Sequence, residues 1–520
     1  MNGRWRPLGA VVFVLPAAFF AAELALRAHA LPYWLWFNLD PSYLYLLDGM
    51  QLLEGVTPGN VNHPGTPVQC IVALVVWLSG LGSPSGISDA TFAAAESLLR
   101  SASTIILALD AAALVLLGWV AERRFGMIPA LLAQTTPFLT MLTLKHGIEV
   151  EPEPMLLLGV LLLGTAVIEY ASRPRLWLIV AMGVVIGLGS ASKITFAPLG
   201  LAPLLLIAGW RARAFFVAAS ALSFAIFLLP AIGGAAQAAT WFADLAIGSG
   251  TYGGGRPIVV DPERYPHAVV KLFFARPLFL APFFVAAAVL AWRRLRGLRA
   301  SGYARALFAI LMAQLVQILL VAKHPSGHYI LPALELGGTA MVLLWPVADE
   351  LAQGAQARAV AQFGFVAALV VIIVAQALAF YRQDRELSRE AAGALSIDLA
   401  RDLPSCAHVY YDMASSPSQA WLYNLNFGSH PFRVRLAGLI PADDYSYLSW
   451  VGRLQDRSGF VEPASVAARY SCIALRGTSL APLTALGASF GPLFDRAATC
   501  RAGSEFILVA GASCPGAAGS

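Results

Sequence analysis

Asp40 stands near the start of the chain, directly after an aromatic stretch and before Pro41. A carboxylate held beside apolar residues is partly desolvated, and desolvation raises its basicity. Asp40 is therefore a candidate general base, able to accept a proton from a hydroxyl nucleophile. The alternative is that Asp40 caps the helix that the sequence predicts to begin at Ser42.

The motif HPGTP, at His63–Pro67, follows Asp40 along the chain. Its two prolines and one glycine fix an irregular backbone. The imidazole of His63 is a candidate ligand for a phosphate or for substrate hydroxyls. The alternative is a rigid turn that carries a surface histidine.

A dense group of ionisable residues is the segment KHGIEVEPEP at Lys145–Pro154. Three carboxylates alternate with other residues there, beside a lysine and a histidine, in an extended stretch that leads into an apolar helix. We predict that at least one of these side chains binds substrate. The candidates are Lys145, His146, Glu151 and Glu153.

Two further segments are candidate anion sites. Lys193 lies between two apolar runs, where its ammonium could neutralise a phosphate or simply reach the lipid headgroups. The segment KHPSGHY at Lys323–Tyr329 gathers a lysine, two histidines and a tyrosine within seven residues. Such a group suits an anion, and a purely structural turn is the alternative. The spacing is not that of an HExxH zinc helix, so we predict no metalloprotease site.

The composition bounds the class of protein. The 520 residues are 58% hydrophobic and 12% charged, with a mean hydropathy of +0.69. A soluble protein has about 25% charged residues, so lipid must surround most of this chain. The net charge of +5 does not indicate a nucleic-acid partner, because the arginine clusters are short and scattered. No GxxxxGK[ST], GxSxG or GxGxxG motif stands in a suitable context, which argues against ATP-driven transport, serine hydrolysis and dinucleotide chemistry.

The gaps between apolar runs alternate in charge: one set is rich in arginine, and the other carries acids and histidines. Short basic loops stay in the cytoplasm, so we predict a cytoplasmic N-terminus and the candidate residues on the opposite face. A span needs about 20 apolar residues, and the first is expected to be an uncleaved membrane helix. The eleven predicted spans are near 8–26, 101–120, 128–144, 154–170, 176–191, 195–210, 214–233, 271–291, 304–322, 328–346 and 359–381.

Two long loops are predicted outside the cytoplasm, at residues 27–100 and 234–270. In the first loop, Ser42–Leu53 and the apolar run Val68–Gly82 are expected to form helices at the membrane interface. The second run is not counted as a span, because about 15 residues are too few to cross. The second loop contains the glycine-rich stretch 250–257 with Arg256.

Residues 382–520 differ in character from the rest of the chain. Short strand-like runs at 408–411, 471–475 and 505–509 are interrupted by helical patterns at 419–425 and 464–469. We predict a small α/β domain outside the cytoplasm, of a size at which domains fold alone. Its four cysteines could form up to two disulfides with three possible connectivities, or could stay reduced. They are Cys406, Cys472, Cys500 and Cys514.

The order and sidedness of these residues resemble the GT-C superfamily of polytopic glycosyltransferases, nearest to its protein O-mannosyltransferase and aminoarabinose-transferase branches. Members carry an aspartate early in the first outer loop, which matches Asp40, and a His-Pro element before an interfacial helix, which resembles His63–Pro67. The resemblance covers 1–381 and implies a mainly α, polytopic catalytic domain with about eleven transmembrane helices, followed by the α/β domain 382–520. The other matching positions are Arg123–Gly126, Pro152–Pro154, Lys193 and His328–Ala333.

The resemblance implies an inverting glycosyltransferase of the bacterial inner membrane, with a cytoplasmic N-terminus and a periplasmic C-terminal domain. Its partners would be membrane lipids, a polyprenyl-phosphate sugar as donor, and a hydroxyl acceptor on a lipid, glycan or protein. Asp40 would deprotonate the acceptor, and the stretch 250–257 would close over the donor. Many relatives have paired acids where this chain has Asp40 and Pro41, so we predict no cofactor and no obligatory metal. The expected donor-phosphate ligands are Lys193, Arg256, Lys323, His324, His328 and Tyr329.

Three other functions remain open at this stage. A ligase or polymerase that uses a diphosphate-linked glycan would need more arginines in the outer loops than this chain has. A secondary transporter is expected to have ionisable residues within its spans and repeated halves, and Asp110 is the main candidate of this kind. A non-catalytic assembly protein would use the C-terminal domain for docking.

Overall fold

The computed structural model describes residues 9–30, 32–35, 42–62, 64–83, 86–248, 256–412, 416–425, 432–449 and 451–515. Asp40 and His63 therefore lie outside the described residues. Contacts between Cα atoms divide the chain into two compact units. The helical unit comprises Met1–Leu24, Val61–Ile71 and Ala102–Tyr381, and the sheet unit comprises Ala25–Asn60, Val72–Ser101 and Arg382–Ser520. The predicted domain bounds stay a prediction.

Helices dominate the described residues up to position 394. They are α1 (Val14–Ala30), α2 (Ser42–Leu53), α3 (Thr66–Leu78), α4 (Asp89–Ala93), α5 (Ala95–Phe125), α6 (Met127–Gln134), α7 (Met141–Gly147), α8 (Pro152–Ser172), α9 (Leu176–Ser192), α10 (Leu201–Leu206), α11 (Trp210–Leu228), α12 (Ala235–Ile247), α13 (Tyr265–Phe274), α14 (Pro277–Leu295), α15 (Gly302–Val321), α16 (Leu331–Leu351) and α17 (Ala355–Ala394). A two-stranded hairpin, β1 (Gly82–Ser83) with β2 (Gly86–Ile87), lies between α3 and α4.

Eight helical stretches among the described residues are long and apolar enough to cross a membrane. The chain is therefore a multi-pass membrane protein, as predicted. The count of eleven spans stays a prediction, because the other three predicted spans correspond to shorter helices or to an interrupted one. The eight are Ala10–Ala30, Ala95–Phe125, Pro152–Ser172, Trp210–Ile247, Pro277–Leu295, Gly302–Val321, His328–Leu351 and Ala355–Asp402.

The predicted span 128–144 is divided in the structure. The helix α6 ends at Gln134, a 3-10 turn follows at Thr136–Phe138, and α7 begins after Thr140. Pro137 lies in the 3-10 turn, and Thr140 adopts an extended backbone whose side chain accepts a hydrogen bond from the amide of Leu142. Proline and a threonine cap both favour a break, although most residues of the segment are apolar.

Burial separates the central helices of the helical unit from the outer ones. Most residues of α8 and α16 are buried, whereas α11, α14 and α17 expose many large apolar side chains. Exposed apolar helices of this kind are expected where lipid is the solvent. Glycines allow α9 and α11 to approach closely, because a Cβ at Gly187 would lie 2.5 Å from the backbone nitrogen of Phe224.

The helix α2 of the sheet unit occupies its predicted range, but ten of its twelve residues, Ser42–Gln51, are buried. A helix enclosed in this way differs from the half-exposed interfacial helix that we expected. The ring of Tyr43 packs against that of Trp421 at 4.6 Å between centroids, and its hydroxyl donates to Glu96 Oε1 at 2.8 Å. Protein side chains therefore cover the face that lipid was expected to cover.

The C-terminal part of the sheet unit contains a seven-stranded sheet with the order β6-β5-β4-β3-β7-β9-β8. The central pairs β3–β4 and β3–β7 are parallel, and the other pairs are antiparallel. The strands are β3 (Ala407–Tyr411), β4 (Asp444–Leu448), β5 (Arg453–Asp456), β6 (Gly459–Val461), β7 (Ile473–Gly477), β8 (Ala498–Ala502) and β9 (Glu505–Ala510). The helices are α18 (Leu399–Asp402), α19 (Pro417–Asn424), α20 (Arg433–Leu439), α21 (Pro463–Arg469) and α22 (Leu480–Ala488). The small α/β domain is thus confirmed.

Two disulfides hold this sheet. Cys406 and Cys472 precede the neighbouring strands β3 and β7, with their Cα atoms 4.4 Å apart. Cys500 in β8 joins Cys514 beyond β9, with a Cα–Cα distance of 5.8 Å. The structure selects this one of the three possible connectivities. Cys70 keeps a free, exposed thiol.

Candidate functional site

The start of α8 brings two of the predicted carboxylates into the helical unit. Glu151 is the N-cap residue of α8 with an extended backbone, and Glu153 lies in the first turn. Pro152 at the first helical position favours this start, because its ring fixes φ near the helical value. Both carboxylates are buried, Glu151 at 1% and Glu153 at 3% exposure. Buried carboxylates require partners, and each has one.

The partner of Glu151 is His146, near the end of α7, whose Nδ1 forms a hydrogen bond with the carboxylate of Glu151. Burial lowers the pKa of the His146 imidazole, but the carboxylates of Glu151 and Glu153 together outweigh it, so the net shift is upward. Burial raises the pKa of Glu151, and Glu153 adds to this shift, while His146 opposes it. The two side chains therefore titrate as a coupled pair.

The partner of Glu153 is Lys193. Lys193 terminates α9 with an extended backbone, which turns its side chain into the protein, where it is 1% exposed. Its ammonium donates to the carboxylate of Glu153 and stands 4.9 Å from the centre of the Tyr329 ring. A fully buried ion pair is costly to desolvate and gains from additional contacts such as this cation–π interaction.

His328 and Tyr329 complete the group from a 3-10 turn that leads into α16. The ring centroid of His328 is 5.5 Å from that of His146 and 4.2 Å from that of Tyr329. Ser326 Oγ lies 2.9 Å from His328 Nδ1. We call these six residues the buried cluster: His146, Glu151, Glu153, Lys193, His328 and Tyr329.

A small cavity adjoins the buried cluster. Its volume is about 10 Å³, which is room for about one water. Three carboxyl groups line it, from Asp110 of α5, Glu153 of α8 and Glu335 of α16. Thr143 Oγ1 donates to Glu335 Oε1 at 3.1 Å. From the sequence, Asp110 was considered only as evidence for a secondary transporter. Glu335 was missed, because its neighbours in the sequence of α16 are apolar.

The structure places the remaining predicted residues elsewhere. Lys323 Nζ donates to the carbonyl of Ala246, and His324 Nε2 lies 3.0 Å from the carbonyl oxygen of Leu245. Both side chains thus cap the C-terminal end of α12, where the helix dipole favours a cation. Lys145 is half-buried on α7, and Arg256 is exposed beside the bridge that pairs Gly248 with Pro257. The roles of Asp40 and His63 stay predictions.

Arg276 is a cation that sequence reasoning missed. It is half-buried and is the N-cap residue of α14, and its Nη2 atom lies 3.4 Å from the position of a Cβ on Gly327. Arg276 therefore lies beside the turn that carries His328. The predicted span 271–291 concealed it, whereas Pro277 directly after it is the signal that the helix starts there.

A serine, an aspartate and a histidine also meet in the sheet unit, but their hydrogen bonds exclude a hydrolytic triad, because the aspartate lies between the serine and the histidine. Ser418 donates to Asp444, and His408 Nδ1 lies 2.8 Å from the other carboxylate oxygen of Asp444. His408 Nε2 lies 3.0 Å from the carbonyl oxygen of Leu403, so neither ring nitrogen is available to a serine. Among the described residues, no group of three His, Cys, Asp or Glu side chains is arranged to hold a metal ion.

No protein-family model and no curated protein matches the sequence. The chain is similar in structure to ArnT from Cupriavidus metallidurans in the apo state, with a TM-score of 0.53 and 12% identity, over 95% of this chain and 97% of that chain. It is similar to the same protein bound to undecaprenyl phosphate, with a TM-score of 0.52 and 12% identity, over 96% and 98%. ArnT, an aminoarabinose transferase, has a GT-C fold. The predicted resemblance is confirmed for the fold, and the similarity extends beyond residues 1–381, for which it was predicted, because it covers 95% of the chain.

Proposed function

We propose that this protein is a glycosyltransferase that moves a sugar from a polyprenyl-phosphate donor to a hydroxyl acceptor, with inversion at the anomeric carbon. The observation that carries the proposal is the buried cluster, a group of a cation, imidazoles and carboxylates. It lies where α7 and α9 end and where α8 and α16 begin. The shared fold with ArnT, which has been crystallised with undecaprenyl phosphate, supports a lipid phosphate as the ligand.

In this proposal the donor phosphate binds to the ammonium of Lys193. His328 lies in the turn before α16, and Arg276 lies beside that turn. Both could donate further hydrogen bonds to the phosphate oxygens. Fixed cations at the leaving group stabilise the charge that develops there in the transition state. Three other predicted ligands would then act at a distance from the phosphate: Lys323, His324 and Arg256. Lys323 and His324 would do so by holding the C-terminal end of α12.

The reaction would proceed by a single displacement. The acceptor oxygen forms a bond to the anomeric carbon, and the bond from that carbon to the phosphate oxygen breaks, so its electron pair stays on the phosphate. The proton of the acceptor hydroxyl moves to the carboxylate of Asp40, which we propose as the general base. His63 would contact the sugar or the acceptor.

We further propose that the buried cluster opens toward the periplasm and that the N-terminus is cytoplasmic. Two observations support this orientation. The arginine-rich gaps are those predicted to face the cytoplasm, and the two disulfides of the sheet unit require an oxidising compartment. A sugar carried on a polyprenyl phosphate would then reach the site laterally, from the membrane.

Transfer of radiolabelled sugar from a polyprenyl-phosphate donor, in membranes that contain the protein, tests the proposal. Asp40→Asn should abolish incorporation of label while the yield and thermal unfolding of the protein stay unchanged, because an amide cannot accept the proton. Asp244→Asn is the matched control, since Asp244 is an exposed carboxylate on α12 and should retain full activity. Full activity of the Asp40→Asn protein would exclude Asp40 as the base, and absence of transfer by the unaltered protein with every such donor would exclude the function.

A further inference from the structure

The ammonium of Lys193 is neutralised before any ligand arrives. Its side chain and that of Glu153 are 1% and 2% exposed, and they form an ion pair. A buried pair of this kind presents little net charge to its surroundings. An anionic headgroup that approaches Lys193 therefore meets a carboxylate at the same place, and two anions cannot share one ammonium without a large electrostatic penalty.

The surroundings of the pair do not favour a second anion. The nearest imidazole of α7, His146, is held by Glu151, and the cavity beside Glu153 is lined by two more carboxyl groups, Asp110 and Glu335. A carboxylate that is buried and separated from its cation becomes neutral rather than remaining charged. The titratable groups that face the pair from neighbouring elements are Asp110, His146, Glu151, His328, Tyr329 and Glu335. Beyond them, Glu23 acts on Asp110, Glu149 acts on Glu151, and Arg276 lies beside Gly327.

We propose that an anionic lipid headgroup binds Lys193 by displacing Glu153, and that the displaced carboxylate of Glu153 takes up one proton. The proton comes from bulk water, the hydrogen bond from ammonium to carboxylate is exchanged for one from ammonium to phosphate, and no covalent bond changes. This inference rests on the proposed function, because the ligand is the lipid phosphate of that proposal. When the headgroup departs, Glu153 releases the proton and pairs with Lys193 again.

The proposal makes headgroup affinity depend on pH in a defined direction. Binding that takes up one proton weakens by about tenfold for each pH unit above the range in which the displaced carboxyl holds its proton. The pair Lys193–Glu153 thereby acts as a competitor within the protein, which keeps the affinity for an anionic lipid moderate. Moderate affinity suits an enzyme that must release a product with the same prenyl chain as its donor.

Isothermal titration calorimetry of the full chain in detergent tests the proposal. The probe is farnesyl methyl phosphate, a diester whose single negative charge does not change between pH 5 and 9. Titration at one pH in two buffers of different ionisation enthalpy gives the number of protons taken up on binding. We expect about one proton for the unaltered protein, and a dissociation constant that rises about tenfold per pH unit at alkaline pH.

Glu153→Gln should bind the diester with a proton number near zero and with an affinity that does not change with pH. Glu169→Gln is the matched control, because Glu169 is on the same helix and pairs with Arg124; it should behave like the unaltered protein. A proton number near zero for the unaltered protein, or an unchanged proton number in Glu153→Gln, overturns the inference. If Glu153→Gln does not fold, the count for the unaltered protein decides alone. Binding without proton uptake leaves the proposed function intact, whereas absence of any binding overturns both.

Discussion

The ion pair between Lys193 and Glu153 joins two side chains that have almost no contact with solvent. Each residue alone would be a buried ionisable group that must lose its charge or keep it uncompensated. Their separation in sequence spans α8 and α9, so each helix end depends on the other for its electrostatic balance. Under the proposed function the pair contributes both to stability and to lipid binding, and substitutions can separate the two.

A double-mutant cycle at this pair separates charge balance from activity. Lys193→Met or Glu153→Met alone should lower the free energy of unfolding by about 3–5 kcal/mol, because the remaining ionisable group is buried without its partner. The double variant should unfold within about 1 kcal/mol of the unaltered protein, since two apolar side chains of similar volume fill the space. Unfolding in mixed detergent micelles measures these changes, and the labelled-sugar assay should find the double variant inactive. Equal destabilisation by the single and double variants would contradict the coupling.

At the residue scale, the sequence predicted which segments meet but not which side chains face each other. The segments Lys145–Pro154 and Lys323–Tyr329 and the residue Lys193 do converge in the helical unit. Within Lys323–Tyr329, however, the first two residues point to the end of α12 and the last two reach the cluster. In a turn, residues next to each other in sequence point in different directions. The spacing of residues in the sequence does not determine those directions.

At the element scale, the close crossing of α9 and α11 depends on glycines, which lack a Cβ and so let the two backbones approach each other. Gly183 and Gly187 lie four residues apart on α9, and both face α11. Apolar composition predicted a helix at both places, although α9, with 17 residues, is shorter than the eight stretches that are long enough to cross a membrane. The crossing could not be predicted in the same way, because the sequence alone does not distinguish a glycine at a helix interface from one that faces lipid.

Substitution of the interface glycine should destabilise the protein, and that of a lipid-facing glycine should not. In Gly187→Ala, the added Cβ would lie 2.5 Å from the Phe224 nitrogen, so we expect a loss of about 1–3 kcal/mol in the free energy of unfolding. Gly364→Ala in α17 is the control, because no atom lies within 4 Å of its Cβ position. This change should be neutral or stabilising by up to about 1 kcal/mol. Thermal unfolding in detergent compares the two, and equal effects would contradict the packing at Gly187.

At the scale of the whole molecule, segments far apart in sequence form the sheet unit. Residues Ala25–Asn60 and Val72–Ser101 belong to the same compact unit as Arg382–Ser520. Sequence reasoning assigned the early segments to an outer loop of the membrane domain, because hydropathy reports burial in lipid but not the identity of a distant protein partner. The buried helix α2 is one result of this assembly.

The oxidation state of the cysteines reports the compartment of the sheet unit. Of the five cysteines, four are in disulfides and Cys70 is free. A maleimide-linked polymer should therefore add one label to the denatured chain before reduction and five labels after it, and Cys70→Ser should give none and then four. Five labels before reduction would contradict both disulfides and the periplasmic placement. The sequence separations of 66 and 14 residues predict stabilisations of about 4 and 3 kcal/mol from loop closure.

The division of the segment between α5 and α8 into two short helices has a consequence for biosynthesis. Neither α6, with eight residues, nor α7, with seven, reaches across a bilayer alone. Their neighbour is α16, whose Gly338 lies against Thr136 and which leaves the ribosome much later. We therefore expect this segment to integrate fully only after α16 has been synthesised and packs against it. A nascent chain arrested before α16 would therefore be expected to expose this segment to membrane proteases and chaperones.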